Sequence, residues 1–338
     1  MYRFQTDKKI ITIVLVLVLA LMTSCATDKA EVKQVAKTSF ESDENSGEAN
    51  NPESAQNAIT VENAITEDES VTEEETVMEE EMAAPPDIAG RVLPVYLDPS
   101  WTYAGHSAIN SGCAVLYRAS QNRKDVVIGV NAGHGTVGGT SVKTFCHPDG
   151  TAKVTGGSTS AGSIKAFAVS SGMIFNDGAK EADVALQTAQ LLKDRLLAEG
   201  YDVLMLRDGI DVQLDNVART VIANNMANCL ISLHWDGDGL GYDKGCFYIS
   251  TPAGIKNMEP VASNWPKHEA LGESLIAGLR NAGCKICGNG KMAIDLTQTC
   301  YSTIPSVDVE LGNQASKHDA AALSVLAEGL AGGIRLIY

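Results

Sequence analysis

From about residue 125 onward, short apolar runs alternate with amphipathic stretches, and that alternation admits few folds. A strand that must pair in parallel with the next needs a crossover of a dozen residues or more, usually a helix, so strands separated by helices imply βαβ units. Residues 126–130 predict the first strand, 201–206 the second, 230–233 a short buried one and 304–309 a later one. Residues 245–250 alternate as an edge or antiparallel strand would. Between them, residues 181–199 place Val184, Leu186, Leu191, Leu192, Leu196 and Leu197 near helical spacing and stop at Gly200, a C-terminal helix signal. Further helices are predicted over 211–228, 269–281 and 318–330. The class is α/β: a mostly parallel twisted sheet with helices on both faces.

Two of these strands run into histidine and one into a carboxylate: Gly133-His134-Gly135, Ser232-Leu233-His234 and Val309-Glu310-Leu311. In an open α/β sheet the carboxyl ends of the strands line the ligand crevice, so groups far apart in sequence converge there. Two imidazoles with carboxylates point to a catalytic zinc, which takes three protein ligands and keeps one position open. Gly133 and Gly135 let the backbone turn tightly around His134 and leave room for a bulky ligand. The pattern alone leaves the third ligand open among Glu181, Asp183, Asp208 and Asp236. His106, His147, His268 and His318 lie in polar or helical surroundings, where solvated side chains are expected.

Taken in order, Gly133-His134-Gly135, Glu181-Ala-Asp-Val-Ala-Leu186, Ser232-Leu233-His234 and Pro305-Ser-Val-Asp-Val-Glu310-Leu-Gly312 resemble the motifs of the zinc-dependent N-acetylmuramoyl-L-alanine amidases. Arg219 followed by Ala223-Asn224 also fits that family, and the resemblance covers about residues 125–338. It implies a phosphorylase/hydrolase-like zinc amidase domain in which His134, Glu181 and His234 hold Zn2+ and Glu310 is the catalytic base. The implied reaction is hydrolysis of the amide between N-acetylmuramic acid and L-alanine of the peptidoglycan stem peptide. Two other readings are a non-catalytic peptidoglycan-binding lipoprotein and a zinc peptidase acting within the stem peptide. The chain departs from the family where Asn131-Ala132 stands in place of Asp-Pro, which puts an amide near the first ligand. It also departs at Trp235-Asp236, expected to set an aromatic ring and an acid at the rim, and in the long Gly-, Ser- and Thr-rich insertion over 135–180. Such a segment is a functional loop, a small hairpin or disorder, and its place beside His134 favours a wall of the substrate groove.

Residues 1–25 carry Arg3, Lys8 and Lys9, then an apolar run over 10–22 whose one polar residue is Thr12, then Thr23-Ser24-Cys25. The run is too short for a spanning helix, which needs about 20 residues, and a basic flank followed by small residues marks a secretory signal. Leu21-Met22-Thr23-Ser24-Cys25 resembles a bacterial lipobox, which implies lipidation of Cys25 and a location on the outer face of the cell membrane. Residues 26–90 hold 18 Asp and Glu against 3 Lys, so they predict an acidic, disordered linker. Residues 91–338, the expected catalytic domain with its core from about 125, hold 20 Lys and Arg against 23 Asp and Glu. The acidic pI therefore belongs to the linker, and nothing in the charge balance calls for a nucleic-acid partner. Residues 91–124, with Trp101, Tyr103 and Tyr117, are too aromatic for the linker and predict a strand or two ahead of the sheet. Seven cysteines remain beyond Cys25: Cys113, Cys146, Cys229, Cys246, Cys284, Cys287 and Cys300. Cys229 is expected to pack as a small hydrophobe. Cys284 and Cys287 are expected to be a local disulfide or free thiols rather than half of a zinc knuckle.

Overall fold

A computed structural model describes residues 89–338. The signal and lipidation predicted for residues 1–25 lie outside the described residues, as does all of the linker but Ala89 and Gly90. The described chain runs β1 (Val92–Val95), β2 (Ala114–Tyr117), β3 (Val127–Ala132), β4 (Lys143–Phe145), β5 (Lys165–Phe167), α1 (Glu181–Ala198), β6 (Asp202–Met205), α2 (Asn216–Met226), β7 (Cys229–Asp236), β8 (Cys246–Ser250), α3 (Val261–Asn281), β9 (Ile286–Ala293), α4 (Thr297–Tyr301), β10 (Ser306–Asn313) and α5 (Ala320–Ile334). Among the described residues no helix is long and apolar enough to cross a membrane.

Eight strands form one sheet in the order β1-β2-β6-β3-β7-β10-β8-β9. The central four, β6-β3-β7-β10, are parallel, while β2 and β8 join their outer members in antiparallel sense. The class is the predicted one. Alternation along the strands feeds two cores: Val203 and Met205 face the one that α1, α3 and α5 cover, and Leu204 and Leu206 face the one under α2. A strand buried on both faces reads as a continuous apolar run, which is why these segments carried the strongest signal.

The differences have local causes. Helix α2 starts at Asn216 rather than 211 because the Asp215 side chain accepts from the Ala218 N–H and fixes the helix start there. Helix α3 begins at Val261, eight residues before the sequence expectation, and holds Pro266, a residue type that usually breaks a helix. Strand β9 had no signal, because Gly288 and Gly290 interrupt its pattern and most of its residues are exposed. It takes the sheet edge from β8, to which it runs parallel. The 135–180 insertion holds the antiparallel hairpin β4–β5.

Candidate metal centre and active site

His134 follows β3 in a left-handed conformation, with φ of 65°, at the turn where the chain leaves the sheet. Two fully buried arginines hold that turn by its carbonyls. Arg207 donates to Ala132 O and Gly133 O, and Arg219 donates to Ala132 O and His134 O. Burial pulls their guanidiniums down, to about 10 and about 9, so both stay protonated at neutral pH. Arg219 also donates to Asn131 Oδ1 at 3.0 Å, while Asn131 Nδ2 donates to Ser232 Oγ. Asn131 thus bridges β3, β7 and Arg219 beneath the site. At Gly133 an added Cβ would lie 2.3 Å from the His234 ring, so the room this glycine leaves is taken by the second histidine and not by a ligand.

Glu181 opens α1, and its carboxylate joins four segments. Oε1 lies 2.8 Å from His134 Nε2 and 3.0 Å from His234 Nδ1, and accepts from the Trp235 N–H; Oε2 accepts from the Met173 N–H. His234 Nδ1 and His134 Nε2 are 3.0 Å apart. Three ligand atoms from β7, α1 and the turn after β3 therefore form a triangle with edges of 2.8 to 3.0 Å.

The tautomers fix which nitrogen each ring turns inward. His134 Nδ1 is 2.9 Å from the Ser170 carbonyl, which only accepts, so Nδ1 carries a hydrogen and a neutral ring presents a lone pair at Nε2. That lone pair faces a carboxylate oxygen. Burial pulls both imidazoles down and Glu181 offsets it. His134 stays below its ordinary value, while His234, which also faces Asp308 and Glu310, is raised to about 9. Burial pushes the Glu181 carboxyl up, yet the two imidazoles more than offset this and hold it well below the usual range. His134 Nε2, Glu181 Oε1 and His234 Nδ1 converge on one point, and two His with one Glu is a donor set that suits zinc. The residues fit the group. Gly172 closes one side: at its φ of 81°, an added Cβ would lie 2.9 Å from both Glu181 Oε2 and the His134 ring.

Glu310 lies in register with His234 across the parallel β10–β7 pair. Burial pushes its carboxyl up to about 8, and its Oε2 has no hydrogen-bond partner. Two residues earlier on β10, Asp308 brings Oδ2 to 3.8 Å from His234 Nε2, itself without a partner. Asp308 was not singled out in the sequence, where it reads as one polar residue in an apolar run. Asp183, Asp208 and Asp236 are not in the triangle. Asp236 pairs with Lys244, and Trp235 is not at a rim: it is 2% exposed, packed on Phe175 in the core. His147 and His268 are also buried, against the expectation of solvated rings. Cys229 is buried as expected, and Cys284 and Cys287 are free thiols.

No curated protein matches the chain. Among solved structures, the N-acetylmuramyl-L-alanine amidase Ami1 of Mycobacterium smegmatis shares the fold with a TM-score of 0.52 and 18% identity, over 64% of this chain and 97% of its own. Ami1 of Mycobacterium abscessus aligns with a TM-score of 0.49 and 21% identity, over 63% and 98%. The amidase AmiC2 of Nostoc punctiforme aligns at 0.45 and 18%, over 64% and 98%. The sequence profile of the N-acetylmuramoyl-L-alanine amidase family matches residues 128–328, a span that takes in His134, Glu181, His234 and Glu310. With the fold and the profile in agreement, the chain belongs to the N-acetylmuramoyl-L-alanine amidases and is a peptidoglycan amidase.

Proposed function

We propose that His134, Glu181 and His234 hold a zinc ion and that Glu310 moves the proton in hydrolysis of the amide between N-acetylmuramic acid and the stem-peptide L-alanine. The observation that carries this is the convergence of His134 Nε2, His234 Nδ1 and Glu181 Oε1 beside a buried carboxyl with an unpartnered oxygen. When bound, zinc supplies Lewis acidity for the attacking water and the scissile carbonyl. Ser170 keeps the His134 ring in the tautomer whose Nε2 is free to bind, and Arg207 and Arg219 keep its backbone turn in place. Glu310, with a proton affinity near neutrality, takes the proton of the attacking water and returns it to the leaving amine. Asp308 faces the outer nitrogen of His234, where a carboxylate orients a ligating imidazole.

The test is digestion of purified cell wall with the purified chain, comparing the products with those of Glu310→Gln. Free muramoyl glycan plus intact stem peptide supports the amide assigned here. Shortened stem peptides would instead mean cleavage within the peptide. Lipidation at Cys25 and an outward-reaching acidic linker belong to the same proposal. They are supported by the basic flank, the apolar run and the Leu21-Met22-Thr23-Ser24-Cys25 ending. A flexible chain of about 65 residues spans roughly 45 Å, enough to separate a catalytic domain from its anchor.

A further inference from the structure

A second cluster of ligating side chains lies apart from the His134 triangle, where the 135–180 insertion meets α4 and the segment that leads into it from β9. His147, Asp295 and Cys300 are 1%, 0% and 0% exposed, and their ligand atoms all lie within 4.8 Å of one another. His147 Nε2 is 3.0 and 2.9 Å from the two Asp295 carboxylate oxygens, and Cys300 Sγ is 3.4 Å from Asp295 Oδ1. The hydrogen-bond chain fixes the tautomer of His147. The Thr151 hydroxyl donates to Asp149 Oδ1 at 2.6 Å, so towards His147 Nδ1, 2.8 Å away, it accepts. Nδ1 therefore carries the hydrogen, and Nε2 is the nitrogen turned on the Asp295 carboxylate, as His134 Nε2 is turned on Glu181.

We propose that His147 Nε2, the Asp295 carboxylate and the Cys300 sulfur form a second, structural site for a zinc-like divalent cation. The donor set of imidazole, carboxylate and thiolate is one that zinc takes, and a sealed site suits a structural ion rather than a catalytic one. Cys146, next to His147 in the chain, is also fully buried, but its sulfur is not among the converging atoms, so the chain supplies three donors here. Binding displaces the Cys300 thiol proton and any proton held between His147 and Asp295, without a change in oxidation state. The Lys153 ammonium, which donates to the Asp295 carbonyl, offsets part of the negative charge that the thiolate brings. A cation here pins the insertion that delivers the Ser170 carbonyl and Gly172 to the His134 site.

The experiment counts metal in the full chain by mass spectrometry and records the near-ultraviolet spectrum after cobalt substitution. Only a thiolate ligand gives a sulfur-to-cobalt charge-transfer band, and the His134 site has none. The expected result is two equivalents in the wild type and one in His134→Ala, with the thiolate band kept. Cys300→Ser should hold one equivalent and lose the band. One equivalent with the band in the wild type would break the zinc reading of His134 and leave this site standing. One equivalent without the band, and none in His134→Ala, overturns the proposal, as does the loss of two titratable thiols to a Cys146–Cys300 disulfide. The His134→Ala measurement decides the matter even if Cys300→Ser fails to fold.

Discussion

At His134 and at His147 an imidazole has its Nδ1 occupied and turns Nε2 on a buried carboxylate, 2.8 Å from Glu181 in one case and 2.9 Å from Asp295 in the other. Around them the two clusters part ways. His234 keeps 16% of its side chain exposed, and both its Nε2 and Glu310 Oε2 lack partners. His147, Asp295 and Cys300 are sealed and all hydrogen-bonded. The first cluster thus leaves buried polar atoms without partners beside a partly exposed ring, which suits the proposed chemistry, while the second satisfies its polar groups internally, which suits a structural role. A buried carboxyl oxygen without a partner is expensive, so its persistence at Glu310 Oε2 points to a role in the reaction.

The largest expected effect falls on the first cluster alone. His134→Ala or His234→Ala should abolish wall hydrolysis and lose the metal of that site, because two remaining donors do not hold zinc tightly. Metal analysis and turnover on the same preparations check this, and a mutant that keeps both would dissolve the contrast. Glu310→Gln should keep that metal while its rate falls by about 10²- to 10⁴-fold, the range for a positioned acid or base. Loss of the metal with Glu310→Gln would make Glu310 a ligand.

Asp295→Asn probes the sealed cluster, where leaving a buried polar group without its partner costs about 1 to 3 kcal/mol. Denaturant unfolding should show that loss, and a change below about 0.5 kcal/mol, the size of an ordinary surface substitution, would mean the cluster holds nothing in place. A third buried imidazole sharpens the comparison, because no carboxylate faces it within bonding distance. His268 Nδ1 accepts from the Ser306 N–H, and burial pulls its pKa down to about 4. The folded state keeps it neutral while the unfolded chain takes up a proton below about pH 6.5. Its contribution is therefore complete above 6.5 and fades as pH falls towards 4, by about 3.5 kcal/mol over these 2.5 units at about 1.4 kcal/mol per unit. The acid limb of stability should flatten by that much in His268→Asn, and an unchanged limb would assign the acid sensitivity elsewhere.

The smallest effects are expected outside both clusters. A chain starting near Asp87 should match the mature protein in melting temperature and in turnover of soluble wall fragments, as the composition of the acidic stretch predicts. Cys25→Ala should move the protein from the membrane to the soluble fraction, and a processed Cys25→Ala protein that stays on the membrane would rule out the lipid anchor.

Local pattern alone determined much of this protein. Apolar runs buried on both faces announced β3, β6, β7 and β10, and Gly200 announced the end of α1, because burial and backbone conformation leave marks within a few residues. His134, His234 and Glu310 were visible as polar groups closing apolar runs for the same reason, although β7 continues to Asp236 and β10 to Asn313. Glu181 was not separable from Asp183 by pattern: both sit in the first turn of α1, and only the packing of Met173 and Trp235 aims one of them at the histidines. Tertiary structure alone decided that Trp235 enters the core, that Asp308 stands behind His234, and that His147 meets Asp295 across 148 positions of chain. Register across a sheet and contact between distant loops depend on the whole fold, and no local period encodes them.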